Sequence, residues 1–439
     1  MRVVLLYPEV YDMARFREGR KEFPPFGVLY LASAVRDGGH EVAVRKVTKV
    51  DPPLDLTSYD AVGVSLASSA TYGILLEAIR RAALSPRVLL MAGGVHANFY
   101  PEQTLTDFDA DVVSYGESEE TILQLLDHAG DRDFSGVPGV VARRADGSVF
   151  RTTPVVPRRD ISHLPLPARE LLPDKDFVMS DRLAGRDIRM AHVMLSRGCP
   201  FPCSFCAAGR TRIQYRDGHS ARKELQHLIS AYDIGGFAIV DDNFVVAKER
   251  VRDICTHIAD LGLRWSALSR VDTVDADLLT AMARAGCIEI KFGVESGSET
   301  MLRAMRKNTT RAKITRAIDS AVQAGIEAKA FIIHGYPGEN QRTTDETIGL
   351  LDTLSDRLSR VSLFRFVPLP GTEVYEQRID GHQVIHGTHL ASGWDHDWEK
   401  FHIHHNDRHW WGSEQEFVEV QSAFSDLERF VEERWGAQK

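Results

Sequence analysis

Three cysteines stand within eight residues, in the segment Ser196-Arg197-Gly198-Cys199-Pro200-Phe201-Pro202-Cys203-Ser204-Phe205-Cys206. Their spacing is C-x3-C-x2-C. Iron–sulfur clusters are held by cysteine thiolates, usually four, and this loop offers three. The two other cysteines, Cys255 and Cys287, fall in a helical pattern and at the start of a strand, where neither completes the loop. A cubane held by Cys199, Cys203 and Cys206 leaves one iron open to a small molecule. The competing readings are a structural zinc site or a metal-free thiol cluster. Structural zinc takes four ligands in tetrahedral geometry, and no nearby histidine or cysteine supplies the fourth.

The loop follows the first strand of a βα series. Strands are expected at Met190 to Leu195, Gly236 to Asp241, Arg264 to Ser269, Ile288 to Val294, Ile326 to His334 and Val361 to Val367, with helical patterns in each gap. Six such units make an incomplete (β/α)6 barrel over 188–375, a class that gathers reactive groups at the carboxyl ends of its strands. Residues 1–130 carry another series, with strands at Val3 to Tyr7, Glu41 to Val44, Ala61 to Ser65, Val88 to Ala92 and Asp111 to Tyr115. That pattern fits a flavodoxin-like, Rossmann-type α/β domain. Between them, 131–187 reads as a hairpin turning at Asp146-Gly147 and a proline-rich linker. Residues 376–439 read as a small C-terminal cap. The fold class is therefore α/β, in two βα domains plus the cap.

The chain has 439 residues, 43% hydrophobic and 26% charged, the composition of a globular protein. A net charge of −9 argues against nucleic acid and anionic membrane as partners, and is compatible with a cationic small substrate. No apolar run is long enough to span a bilayer. The first residues lack the marks of a secretory signal, so a cytoplasmic location is expected, which agrees with the sparse cysteine use.

The cysteine loop resembles the signature of radical S-adenosylmethionine enzymes, with Phe205 as its aromatic residue. The resemblance extends to the strand ends: Asp241-Asp242-Asn243, Arg270 and Asp272, Gly293-Val294-Glu295-Ser296-Gly297, His334-Gly335-Tyr336-Pro337-Gly338-Glu339, and Pro368-Leu369-Pro370-Gly371-Thr372. It implies a 4Fe-4S cluster on Cys199, Cys203 and Cys206 whose open iron binds S-adenosylmethionine. One-electron cleavage would then give a 5′-deoxyadenosyl radical that takes a hydrogen atom from an unactivated carbon. An electron-donor protein or reductase is implied as partner. Phe205, Glu295, Ser296 and Arg270 are the expected cofactor contacts. The alternatives are that Glu295 only caps the following helix and that Arg270 is structural. Asp241 and Asp242 are candidate catalytic groups, or else helix caps.

Residues 1–130 resemble the cobalamin-binding domain that precedes the barrel in one branch of that superfamily. The matching segments are Phe23-Pro24-Pro25-Phe26-Gly27, Ser65 to Gly73, Gly93-Gly94-Val95-His96 and Gly116-Glu117-Ser118-Glu119. Ser65, Gly93 and Gly94 are the expected cobalamin contacts. No Asp-x-His-x-x-Gly motif offers an axial histidine, and His96 reads as a supporting residue rather than a cobalt ligand. The alternative is a domain that is retained but empty.

Eight of seventeen histidines lie between His382 and His409, and four of six tryptophans between Trp394 and Trp411. This segment is expected either to pack as an ordinary cap or to close a polar pocket, with His404 supplying acid–base chemistry. Two outcomes of the radical step compete. One is 1,2-diol dehydration of an aminosugar, as in the aminoglycoside-deoxygenating dehydratase of this branch; the short C-terminal region and acidic charge favour it narrowly. The other is cobalamin-dependent C-methylation. A non-catalytic cobalamin or redox sensor is the alternative of a different class.

Overall fold

A computed structural model describes residues 1–9, 24–172, 178–183, 186–379, 398–401 and 408–436. They form two compact units. The expected α/β class and its two βα domains are present.

In the first unit, β1 (Arg2–Pro8) is buried along all but its first residue, as a central parallel strand must be. Helix α1 (Phe26–Asp37) carries the chain to β2 (Glu41–Val47) on one side of β1; β3 (Ala61–Ser65) lies on the other. Next come α2 (Tyr72–Arg81), β4 (Leu89–Gly93), α3 (Val95–Phe99), α4 (Pro101–Asp107), β5 (Val112–Ser114) and α5 (Glu119–Asp127). The strand order 2-1-3-4-5 is flavodoxin-like, and ligands of such sheets sit outside the carboxyl ends of the strands. The hairpin expected within the linking segment instead extends this sheet. Its strands β6 (Val140–Arg143) and β7 (Val149–Arg151) add antiparallel, β6 on β5 and β7 on β6, and Val140 and Val141 of β6 continue the buried face.

The second unit is a half-barrel. Its sheet runs β16-β15-β14-β13-β12-β9-β8. Strand β8 (Val178–Leu183) is antiparallel to β9 (Arg186–Val193) and forms an edge that the sequence pattern did not disclose. Cysteine-bearing backbone joins the short antiparallel pair β10 (Ser196–Arg197) and β11 (Gln214–Tyr215). Then follow α6 (Gly218–Tyr232), β12 (Gly236–Ile239), α7 (Lys248–Ile258), β13 (Arg264–Arg270), α8 (Ala276–Arg284), β14 (Cys287–Glu295), α9 (Glu299–Ala304), α10 (Arg311–Gln323), β15 (Glu327–His334), α11 (Gln341–Thr353), β16 (Leu358–Arg365), α12 (Glu373–Ile379) and α13 (Glu414–Trp435). Strand β9 and strands β12 to β16 are parallel, so all six send their carboxyl ends to one edge. Trp265 fills the core behind that edge, its indole N–H donating to the Ala285 carbonyl at 2.8 Å. Helix α13 packs on α11 and β16. No helix among the described residues is long and apolar enough to cross a membrane.

The end of the cysteine segment is pinned by charge. The backbone N–H of Arg216 donates to Leu195, back at the segment's start. The Arg216 guanidinium bonds the Glu224 carboxylate at 2.5 Å, with both side chains essentially excluded from water. Removing one partner of such a pair strands a buried charge, which costs about 3–5 kcal/mol. Glu224→Ala should lower the unfolding free energy of this unit by that amount and also reduce iron uptake, whereas exposed Glu299→Ala should do neither. Denaturant midpoints and iron content on the two variants test this.

Candidate functional site

The site begins with how the cysteine loop is held open. Gly198 turns with φ +81°, and a Cβ there would stand 2.7 Å from the Arg212 carbonyl, so only glycine fits. The Cys199 N–H donates to Thr211 Oγ1 at 2.8 Å, and the Thr211 N–H returns to the Cys199 carbonyl. Ser204 is buried; its N–H donates to the Met305 carbonyl, and its hydroxyl shares a 2.8 Å hydrogen bond with Tyr336. Phe205 packs against the cluster of Met301, Met305, Tyr336 and Phe366. These bonds fix the loop backbone without using a single thiol.

Burial raises the Cys199 thiol above its usual pKa and pushes Cys206 up to about 11. Neither ionises readily without a metal, so metal binding must release protons. Thiolates of a cubane each hold a different iron and need not converge on one point.

The Arg270 guanidinium touches the loop directly. It donates to Cys203 Sγ at 3.1 Å and to both Asp272 oxygens at 2.8 and 2.6 Å, and it bonds the Lys307 carbonyl. Its carbon lies 4.0 Å from the centre of the Phe201 ring. A cation here offsets the negative charge that thiolates and cluster bring into a half-buried site.

The strand-end carboxylates all have protein partners. Asp241 accepts from Ser196 Oγ at 2.6 Å and from the Leu195 N–H at 2.8 Å. Burial pushes its pKa up to about 7, and those hydrogen bonds oppose the rise. Asp242, also raised by burial, accepts from the Gly198 N–H at 3.2 Å. Both therefore brace the start of the cysteine loop. Glu295 has φ +66°, a strained left-handed conformation for a non-glycine residue, and is paired with Lys307 at 2.6 Å in a buried ion pair. The Ser296 hydroxyl lies 3.2 Å from Thr347 Oγ1 and accepts from the Ser298 N–H.

Polar capacity remains at the same edge. Asn243 is 1% exposed, and among the described residues neither of its amide atoms has a hydrogen-bond partner. Glu339 is buried, receives the Thr343 hydroxyl at 2.8 Å on one oxygen, and among the described residues its other oxygen has no side-chain partner. Burial pushes its pKa up to about 7. Buried polar groups ordinarily find partners. A zwitterion with a ribose, as in S-adenosylmethionine, is a ligand that fits these vacancies.

In the first unit, Ser65 pairs with Gly93 across adjacent strand ends. Gly94 has φ +106°, with the Leu66 backbone 2.8 Å from any added Cβ. Ala67, Gly94, Val95 and Gly116 are exposed along this carboxyl edge. Small side chains and open backbone are what a flat macrocycle such as cobalamin needs to approach. His96 is fully buried, bonded through Nδ1 to Ser69 at 2.9 Å and ringed by Tyr72, Tyr100 and Trp398. It is committed to packing rather than held out toward a metal.

His404 lies outside the described residues, as do Trp394 and every histidine of the C-terminal group except His409. The structure thus gathers Cys199, Cys203, Cys206, Phe205, Arg270, Asp241 and Asp242 around one loop, with Glu295 and Ser296 at the end of β14. Sequence reading missed Lys307, Tyr336 as the Ser204 partner, and the unpartnered Asn243 amide. Asn243 stands inside the Asp241-Asp242-Asn243 segment, where only the two carboxylates were singled out; Lys307 carried no local signal.

The chain matches the radical SAM superfamily over residues 193–351 and the B12 binding domain over residues 16–126. An uncharacterized methyltransferase of Pyrococcus horikoshii is 29% identical over 406 residues, covering 88% of this chain and 84% of the relative. The anaerobic magnesium-protoporphyrin IX monomethyl ester cyclase of Rubrivivax gelatinosus is 25% identical over 411 residues, covering 88% and 71%. The fold superimposes on the radical S-adenosylmethionine methyltransferase TsrM from Kitasatospora setae, solved with cobalamin and a 4Fe-4S cluster, at a TM-score of 0.72 and 17% identity, covering 98% of this chain and 89% of that one.

Two predictions follow from the geometry. Arg270→Gln should shift the cluster potential downward by on the order of 60 mV, one tenfold step for a one-electron couple, because a cation leaves the thiolate; an EPR-monitored redox titration reads it. His334, buried beside Arg365, has its pKa lowered from 6.5 to about 3. Below pH 6.5 the unfolded chain takes up a proton that the folded chain refuses, so stability falls by about 1.4 kcal/mol per pH unit down toward pH 3. Between pH 7 and 5 the native protein should lose about 2 kcal/mol more than His334→Gln, as read from urea midpoints.

Proposed function

Because the chain belongs to the radical S-adenosylmethionine superfamily, in the branch with an N-terminal cobalamin-binding domain, we propose that it is a cobalamin-dependent C-methyltransferase acting on a small substrate. Its cofactors are a 4Fe-4S cluster, S-adenosylmethionine and cobalamin; when bound, they supply hydrogen-atom abstraction and a transferable methyl group. A reductant is required to start each turnover.

The observation that carries the reading is the joint presence of both cofactor domains along a relative named as a methyltransferase for 88% of the chain. The aminosugar dehydration favoured narrowly from the sequence has no counterpart among these relatives, and it rested on resemblance and on the short C-terminal region. In the proposed roles, Cys199, Cys203 and Cys206 hold the cluster and Arg270 steadies its charge. Asp241 and Asp242 position the loop. Asn243, Glu295, Ser296 and Glu339 offer polar contacts to S-adenosylmethionine, and Ser65, Gly93 and Gly94 form the surface for cobalamin. The reductant and the cytoplasmic setting belong to the same reading.

Product analysis after anaerobic reconstitution tests it. Methylation gives S-adenosylhomocysteine together with 5′-deoxyadenosine and a product heavier by CH2. Loss of water from the substrate with 5′-deoxyadenosine alone would overturn it in favour of dehydration. Absence of any reductive cleavage would favour a sensor. Cys203→Ala should reduce cleavage of S-adenosylmethionine below detection.

A further inference from the structure

Every residue from Phe201 to Gly209 except Ser204 is only half-buried, and Pro200 is exposed. The cysteine loop therefore runs along the surface of the half-barrel unit. Backbone bonds to three neighbours frame it. The Arg210 N–H donates to the Phe201 carbonyl, the Ser204 N–H to the Met305 carbonyl, and the Val374 N–H to the Ser204 carbonyl. Beside those contacts stand the side chains of Arg210, Arg306 and Glu373. Both guanidiniums bond the same Glu373 oxygen, Arg306 at 2.7 Å. The two arginine side chains are 53% and 50% exposed, whereas Glu373 is 11% exposed.

Two further arginines extend this rim. Arg212 is exposed, and its backbone carbonyl lies against Gly198, next to Cys199. Arg303 is 68% exposed; its carbonyl accepts the Arg306 N–H, and its guanidinium lies 3.9 Å from Glu299. Four guanidinium groups thus border the loop with two carboxylates, in a chain whose net charge is −9. Bracing the loop needs only the pairs on Glu373. Arg212 and Arg303 add positive charge toward solvent.

We propose that this arginine rim is the docking face for the electron donor, a small acidic redox protein of the flavodoxin class. The radical reaction needs an external electron, and the rim borders the residues that hold its destination. Two acidic proteins repel at long range, so a productive encounter requires a locally cationic face. Electron-transfer complexes are small and transient, and exposed charges on a rim act mainly on the rate of encounter. One electron leaves the carrier, oxidising it by one, and passes to the group that Cys199, Cys203 and Cys206 hold; no bond forms or breaks. The proposal rests on the reductant requirement of the proposed function and not on methylation.

The first test measures binding. Reconstituted protein is titrated calorimetrically with an oxidised bacterial flavodoxin at low and at physiological ionic strength. Flavodoxin should bind, and more weakly as salt shortens the Debye length toward about 8 Å. Combining Arg212→Glu with Arg303→Glu should weaken binding about 10-fold, as reversal of two rim charges implies. The matched control combines Arg264→Glu with Arg284→Glu, two exposed arginines at the start of β13 and the end of α8, at the amino edge of the sheet. It changes net charge equally and should alter binding less than about twofold. The second test separates docking from damage. Cleavage of S-adenosylmethionine driven by limiting reduced flavodoxin should fall about 10-fold in the rim variant, whereas cleavage driven by titanium(III) citrate should match the parent. No flavodoxin binding at about 0.1 mM, affinity unchanged in the rim variant, equal loss in the control, or equal loss with both reductants would overturn the proposal. A rim effect in a protein that makes no methylated product would keep the docking face and remove the reaction; methylation with flavodoxin affinity indifferent to the rim would do the reverse.

Discussion

The guanidinium of Arg270 meets Cys203, a carboxylate, a backbone carbonyl and an aromatic ring at once. The cysteine loop depends on that convergence. Thiolates there would bring negative charge into a loop whose thiols resist ionising, as the raised Cys199 and Cys206 show. A buried cation is itself costly unless paired, and Asp272 meets that requirement with both oxygens. The arginine is thereby held beside Cys203 by the protein's own groups. A lysine would keep the charge and lose the fork that reaches Asp272, Cys203 and the Lys307 carbonyl together.

The same economy of partners governs the carboxylates at the strand ends. Asp241 and Asp242 are the residue types that acid–base chemistry uses, and they stand at the edge where chemistry is expected. In the fold they receive N–H and O–H groups from Leu195, Ser196 and Gly198. Those bonds set the direction in which the chain leaves β9 for Cys199. Positioning is a sufficient reason for both residues. The unsatisfied groups lie one step further along, at Asn243 and on one oxygen of Glu339. In a protein interior, such vacancies indicate a missing polar ligand more directly than residue type does.

Much of this was legible in one dimension, and the exceptions share a cause. The six parallel half-barrel strands show in the sequence as short segments rich in β-branched and aromatic residues, even where, as in Ile288 to Val294, they carry the charges of Glu289 and Lys291. Strand β8, with the sequence Val-Met-Ser-Asp-Arg-Leu, is an edge strand, carries charge, and follows a run of prolines, so its pattern gives no period. The cysteine loop was legible because its chemistry is local, three ligands in eight residues. Lys307 was not, since its partner Glu295 lies twelve residues back across a helix and the positive-φ residue Arg306. The arginine rim draws on residues 210–212, 303–306 and 373. No window along the sequence contains it.

Whole-chain charge misleads for the same reason. The net −9 is a sum over a surface on which most charges are exposed and screened beyond about 8 Å at physiological ionic strength. Recognition inside a cleft is set by the few groups that line it, where low-dielectric walls weaken the screening. His334 registers that local field: burial lowers its pKa first, and the neighbouring Arg365 charge lowers it further, although the chain as a whole is acidic. The net charge therefore bears on encounter at long range, whereas the protonation of a buried group such as His334 is set by what surrounds it.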